Sequence, residues 1–180
     1  MIAVMSRRLL ARLRTLVERL AMPSHALKQA IAAALMSLSF VAVAQTAQEH
    51  VHRHGHEVMP FDLARTLHRF EMTVDGGIQQ VVLRGDVIDP EQVRLIQHHL
   101  MMEAAAFRRG DFTDPAHLHG NTMPGLQELR SGAKRIRISY RALPTGAEIR
   151  FKTNDIRLIT AIHRWFGAQL SEHGADAQAR

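Results

Sequence analysis

The chain has no cysteine among its 180 residues, and aromatic side chains make up only 5% of it. Disulfide bonds, thiolate metal ligands and thiol nucleophiles are therefore excluded, and a folded domain has to be stabilised by its core alone. The absence of cysteine is compatible with an oxidising compartment without establishing one. The length allows one domain of ordinary size.

Short motifs of the common enzyme classes are also missing. There is no Gly-x-Ser-x-Gly elbow, no glycine pattern for phosphates or dinucleotides, no His-Glu-x-x-His and no Cys-x-x-Cys-His. Haem held without covalent attachment by histidine and methionine stays open, because those ligands follow no fixed spacing. These absences favour a binding protein over an enzyme.

The net charge of +6 is unevenly distributed along the chain. Residues 1–44 hold six of the 23 Lys and Arg residues and one of the 17 acidic residues, which leaves 17 basic against 16 acidic side chains. A nucleic-acid-binding domain usually concentrates positive charge on one face. The nearly neutral body therefore predicts no nucleic-acid partner.

An uncharged apolar run of about fourteen residues follows Lys28 and ends in Ala42-Val43-Ala44, the small-x-small pattern of a signal-peptidase site. The run is shorter than the roughly 20 residues that span a bilayer. We interpret 1–44 as a signal peptide, with Met22 as an alternative start. This interpretation predicts a periplasmic or secreted protein with no stable membrane span. An uncleaved anchor and a buried core helix are the alternatives.

The body after the leader divides into three parts. Residues 45–60 show no apolar periodicity and predict a flexible histidine-rich arm, and 176–180 predict a disordered tail. Between them, 61–175 predict a single α+β domain.

Within this domain the pattern strand-strand-helix occurs twice. Alternating strands flank Asp75-Gly76-Gly77 and Pro144-Thr145-Gly146, and helices follow caps at Asp89 and at Asn154 or Asp155. One face of the first helix is apolar, and its members are Val93, Ile96, Leu100, Ala104 and Phe107. The two repeats predict a two-layer sandwich with a mostly antiparallel sheet of about four strands.

Four alternating histidines, His50, His52, His54 and His56, are the most specific feature of the arm. In an extended chain alternate side chains point the same way, so neighbouring imidazoles could chelate one Cu²⁺, Ni²⁺ or Zn²⁺. Met59 could add a soft ligand. An ordinary polar linker that binds metal as a purification tag does is the alternative.

A second histidine cluster lies between the repeats, where His117 and His119 repeat the His-x-His spacing and Met123 follows. Asp111 and Asp114 could orient an imidazole or act with His119 in acid–base chemistry. Turn formation is the ordinary interpretation of this segment. We expect His68 and His163 to be core histidines, but they would complete a three-imidazole site with His119 if the segment folds over the sheet end.

Four short strings, Met59–Asp62, Gly110–Ala116, His119–Leu126 and His163–Phe166, resemble those of a group of small bacterial proteins often labelled aspartate carbamoyltransferase. The resemblance covers roughly residues 59–175. The label itself is incorrect for this chain, which is too short for that transferase and lacks its carbamoyl-phosphate loop. No functional residues carry over from the group.

These observations lead to three hypotheses. The first is a periplasmic or secreted metal-binding protein for copper or zinc, acting in storage, delivery or tolerance, with metal ions and an envelope protein as partners. The alternative is a metal-independent module of the cell envelope that binds a ligand or a protein. A small hydrolase or lyase that depends on histidine and aspartate is the third.

Overall fold

The structure, a computed structural model, describes residues 48–51 and 53–180. The predicted leader, including Met22, and His52 of the predicted arm lie outside the described residues. Within the described part, no helix is both long enough and apolar enough to cross a membrane.

A five-stranded mixed sheet forms the centre of the fold. Its strands are β1 (Thr66–Thr73), β2 (Gly76–Leu83), β3 (Arg137–Leu143), β4 (Gly146–Lys152) and β5 (Ala177–Ala179), in the order β3-β4-β2-β1-β5. β1 to β4 pair in antiparallel fashion, and β5 pairs parallel to β1. The α+β class is confirmed, but the prediction of about four antiparallel strands is wrong.

The additional strand comes from the segment predicted to be a disordered tail. Three residues are too few to show a period of two, so the pattern of 177–179 carries no strand signal. The segment is fixed instead by long-range contacts, since Arg84 donates to Asp176 at 2.8 Å and to the Ala175 carbonyl at 2.9 Å. The chain end is thereby placed beside His68, Arg69 and Phe70.

Two long helices, α2 (Pro90–Arg108) and α5 (Ile156–His173), pack on one face of the sheet. The Asp89 side chain accepts from the backbone N–H groups of Glu91 and Gln92, and the Asp155 side chain caps α5 by accepting from the N–H of Arg157. The predicted apolar face of α2 is confirmed, because all five of its members are buried. Register places Phe70 of β1, Gln79 of β2 and Ile149 of β4 side by side under these helices.

The connection between the repeats is helical where sequence reasoning expected a loop. It contains α3 (Thr113–His119) and α4 (Leu126–Gly132), each of seven residues. Elements this short present barely two turns, so their apolar period is hard to recognise. Leu118 and Leu126 are buried, which holds the connection against the rest of the domain.

The segment before the sheet differs from the predicted arm. Residues 48–51 and 53–54 are helical (α1), and a 3-10 turn, Gly55–Glu57, continues the segment. Val51 and Met59 are buried at 3% and 6% exposure, and a Cβ at Gly55 would lie 2.4 Å from Leu63 Cδ1. These apolar contacts recur every four residues, which favours a helical segment over the extended arm that the alternating histidines predicted.

Candidate functional site

A small polar cavity lies between the helices and the inner face of the sheet. Its volume is about 50 Å³, which is room for roughly four water molecules. The lining combines apolar residues with an unusual number of polar ones. The polar members are His68, Gln79, His99, Glu103, Asp114, His119, Trp165, Gln169 and His173.

Three histidines from different elements meet at this cavity. His68 comes from β1, His119 from the last turn of α3 and His173 from the last turn of α5. The His173 ring stacks on His68 with centroids 4.5 Å apart, and it lies 5.1 Å from the His119 ring. All three are almost fully buried, so they form a cluster inside the protein.

His163 does not join this cluster. Its Nε2 donates to the carbonyls of Thr73 at 3.0 Å and Gly76 at 2.9 Å, so the imidazole holds the β1–β2 turn. The structure therefore brings His68 and His119 together as predicted, but the third histidine of the cluster is His173 and not His163. A histidine that satisfies two backbone carbonyls is structural.

Burial keeps two of the cavity imidazoles neutral. Desolvation, with smaller contributions from His99, His119 and Arg84, lowers the pKa of His68 to about 3. Desolvation also lowers the pKa of His99 to about 4, and its ring lies edge-on to Phe61. At neutral pH each ring therefore offers one N–H donor and one lone pair.

The opposite shift occurs at Glu103. Burial, and then the charge of Asp114, raises the pKa of the Glu103 carboxyl to about 8, and the two carboxyl groups are hydrogen-bonded. Glu103 is therefore mostly protonated at neutral pH. Its O–H donates to the Asp114 carboxylate, which can only accept.

We expect Glu103 to make the protein less stable as the pH rises from 6.5 to 8. The folded state keeps a proton there that the unfolded chain has already released, because the ordinary pKa is 4.5 and the folded pKa is about 8. The neutral folded forms of His68 and His99 act oppositely, but their contribution fades within about one pH unit above their ordinary pKa of 6.5. The loss is at most about 1.4 kcal/mol per pH unit.

Urea unfolding of the wild type and of Glu103→Gln at pH 6.5 and pH 8 measures this effect. The wild type should lose stability between the two values, and the variant, which has no proton to release, should change much less. Equal losses in both proteins would contradict a raised Glu103 pKa.

His119 is held from its outer side by Glu172. The Nδ1 and Oε2 atoms are 2.6 Å apart, and the His119 side chain is only 2% exposed. A carboxylate oxygen can only accept, so Nδ1 carries the proton. The lone pair of neutral His119 is then on Nε2. This hydrogen bond fixes both the tautomer and the ring orientation.

Three buried polar atoms of the lining have no hydrogen-bond partner among the described residues. They are His68 Nε2, Gln79 Oε1 and Trp165 Nε1. An unpaired buried polar atom costs about 1–3 kcal/mol, so several at one cavity need an explanation. The residues that carry them all line the same cavity.

The remaining predicted ligands lie elsewhere. His50, His54 and His56 lie on the N-terminal segment, and His117 is 57% exposed with its Nε2 2.9 Å from Glu57 Oε2. Met123 is buried in the hydrophobic core. Within residues 48–51 and 53–180, no three His, Asp or Glu side chains are placed to hold one ion.

The two aspartates predicted beside His119 have different positions. Asp111 accepts from the backbone N–H and the hydroxyl of Thr113, which is ordinary turn chemistry at the start of α3. Asp114 lines the cavity together with His119 and Glu103. Only Asp114 is therefore placed to act inside the site.

Sequence reasoning missed several residues of the cavity, chiefly Gln79, Glu103, Trp165, Gln169 and His173. The spacing of polar residues on both long helices could have revealed some of them. Gln169 and His173 continue the buried face of α5 at spacings of four residues, and His99 and Glu103 flank the apolar face of α2 at the same spacing. Polar residues on a buried helix face mark a site more reliably than exposed histidines do.

Comparison with known proteins gives no relatives. No family model matches the chain, and no match was found among curated proteins or solved structures.

Proposed function

We propose that this domain is a binding module that takes a small, uncharged polar molecule into the histidine cavity without a metal ion. The observation that carries this proposal is a set of buried atoms around one cavity that have no partner among residues 48–51 and 53–180: His68 Nε2, Gln79 Oε1 and Trp165 Nε1. A guest with both donors and acceptors would satisfy them together. Buried polar groups of this kind otherwise only reduce stability.

The charge of the guest follows from the lining. Among the described residues, no Lys or Arg side chain lines the cavity. No positive charge of the described lining would therefore offset the cost of desolvating an anion. His68 and His99 are neutral, and Glu103 is mostly protonated at neutral pH. An uncharged guest is therefore favoured over a carboxylate or a phosphate.

The donors and acceptors fit an amide or a similar group. Trp165 Nε1 can only donate, and Gln79 Oε1 can only accept. A primary amide presents a carbonyl to the first and an N–H to the second. The cavity volume of about 50 Å³ restricts the guest to roughly four non-hydrogen atoms.

Acetamide and acetate test this proposal because they have nearly the same shape and differ in charge. We expect 100 mM acetamide, with a chelator present, to raise the thermal midpoint through a Kd in the millimolar range, and acetate at matched ionic strength to have little effect. An equal rise with both compounds, or none with either, would contradict an uncharged-amide site.

Transition-metal binding in the cavity is the second candidate. The close approach of His68, His119 and His173 favours it. So does the hydrogen bond from His119 to Glu172, since metal-binding histidines usually donate their other N–H to a carboxylate. The stacked rings of His68 and His173 would have to rotate to share an ion. A midpoint raised by Zn²⁺ and lost in His119→Ala, but insensitive to acetamide, would favour this candidate.

We propose an exported, periplasmic or secreted location on the basis of the apolar run and the Ala42-Val43-Ala44 pattern. An envelope protein partner fits that location. Acid–base chemistry by Asp114 and His119 remains a hypothesis, supported only by their shared cavity.

A further inference from the structure

A second histidine-rich site lies outside the cavity, on the surface between the N-terminal segment and α3. An open groove of about 420 Å³ is lined there by His50, His117, Leu118, His119, Gly120 and Glu172. His50 belongs to α1, and its ring centroid lies 4.5 Å from that of His54. Histidines one helical turn apart have the spacing of the chelating pair in helical zinc motifs.

Glu57 connects this histidine pair to α3. Its Oε1 lies 2.8 Å from His54 Nδ1, and its Oε2 lies 2.9 Å from His117 Nε2. A carboxylate oxygen can only accept, so each ring donates its N–H to Glu57. The second nitrogen of each ring, Nε2 of His54 and Nδ1 of His117, is thereby left as the lone-pair donor.

A carboxylate that accepts the N–H of a histidine is the usual outer partner of a metal ligand, because it fixes the tautomer and raises the basicity of the ring. Here one carboxylate does so for two histidines from different elements. His54 and His117 are 44% and 57% exposed at the side chain, so an ion can reach both from solvent.

We propose that His50 and His54 form a surface chelate for a divalent transition-metal ion, with His117 as the third ligand and Glu57 as the carboxylate that orients His54 and His117. The two rings lie side by side on α1, and each would have to turn so that one nitrogen points at the shared ion. The His117 side chain would move to complete the site. Imidazole ligands suit Zn²⁺, Ni²⁺ and Cu²⁺.

Metal bound there would join two elements that border the cavity. Val58 and Met59, directly after the 3-10 turn, line the cavity together with Leu118 and His119 of α3. An ion held by α1 and α3 would therefore fasten the N-terminal segment over that side of the cavity. The expected consequence is a higher thermal midpoint in zinc.

Zinc titration of the full chain against a competing chelator tests this site with matched double variants. The His50→Ala, His54→Ala protein should bind its tightest zinc ion at least about 100-fold more weakly, and Glu57→Gln about 10-fold more weakly. The matched control removes the other two histidines of the segment, His52→Ala and His56→Ala. It should retain that ion and the zinc-dependent rise in thermal midpoint.

Equal losses in the two double variants would overturn the proposal, because they would show binding by any pair of histidines, as in a purification tag. If both double variants retained zinc and His68→Ala lost it, the ion would lie in the cavity, and the proposed surface site would be overturned as well. Thermal midpoints without zinc establish that each variant is folded. The acetamide result is independent of all three outcomes, so this site and the proposed function can fail separately.

Discussion

Replacing Gln79 by leucine is expected to raise the thermal midpoint and abolish acetamide binding. Gln79 Oε1 is a buried acceptor without a partner in the described part of the chain, and its removal relieves about 1 kcal/mol of desolvation cost. In a chain of this size, that corresponds to roughly 3 °C. Binding should be lost because the apolar side chain cannot accept the N–H of the guest.

Gln80→Leu is the matched control, one residue away on the opposite face of the sheet. Gln80 donates to Glu148 Oε2 at 2.8 Å and accepts from Arg180 at 3.1 Å. Its loss should lower stability by about 1 kcal/mol and leave acetamide binding intact. A lower midpoint for Gln79→Leu, or unchanged acetamide binding, would show that Gln79 is an ordinary structural residue.

Gly125→Ala should destabilise the protein by about 3 kcal/mol or more, the largest effect we expect on stability. Gly125 has φ +83°, and an added Cβ would lie 2.2 Å from the carbonyl oxygen of Ala161 on α5. The loop before α4 would have to move away from α5, and α3 with His119 would be displaced with it. Urea unfolding measures the loss.

Gly85→Ala separates backbone strain from this steric clash. Gly85 has φ +72°, but an added Cβ there would have no neighbour within 4 Å. Its cost should be limited to the strain of a positive φ, about 1 kcal/mol. A similar cost at both positions would mean that the close approach to Ala161 contributes nothing.

The sequence predicted the elements with strong local signals. Asp89-Pro90 marked the beginning of α2, because the cap and the proline act on their immediate neighbours. The fifth strand could not be predicted, since it depends on Arg84 meeting Asp176 at a separation of 92 residues. Likewise α1 depends on the burial of Val51, and its alternating histidines concealed the four-residue apolar spacing.

For a similar reason, only part of the candidate site could be predicted from the sequence. His68 and His119 stood out as histidines, but which third histidine meets them depends on the direction of α5. His163 and His173 are ten residues apart, so they face different neighbours on that helix. His163 points to the β1–β2 turn, and His173 reaches the cavity at the other end of β1.

The protein contains a single tryptophan, and it lines the cavity, so one signal reports on the proposed site. The most direct measurement is therefore the ¹⁵N-resolved indole N–H resonance of Trp165 during titration with acetamide and, separately, acetate. A downfield shift that saturates with acetamide and is absent with acetate is predicted, because the guest carbonyl would accept from Nε1. An indole resonance that stays fixed while acetamide reaches saturating concentrations would contradict a guest-binding cavity at this position.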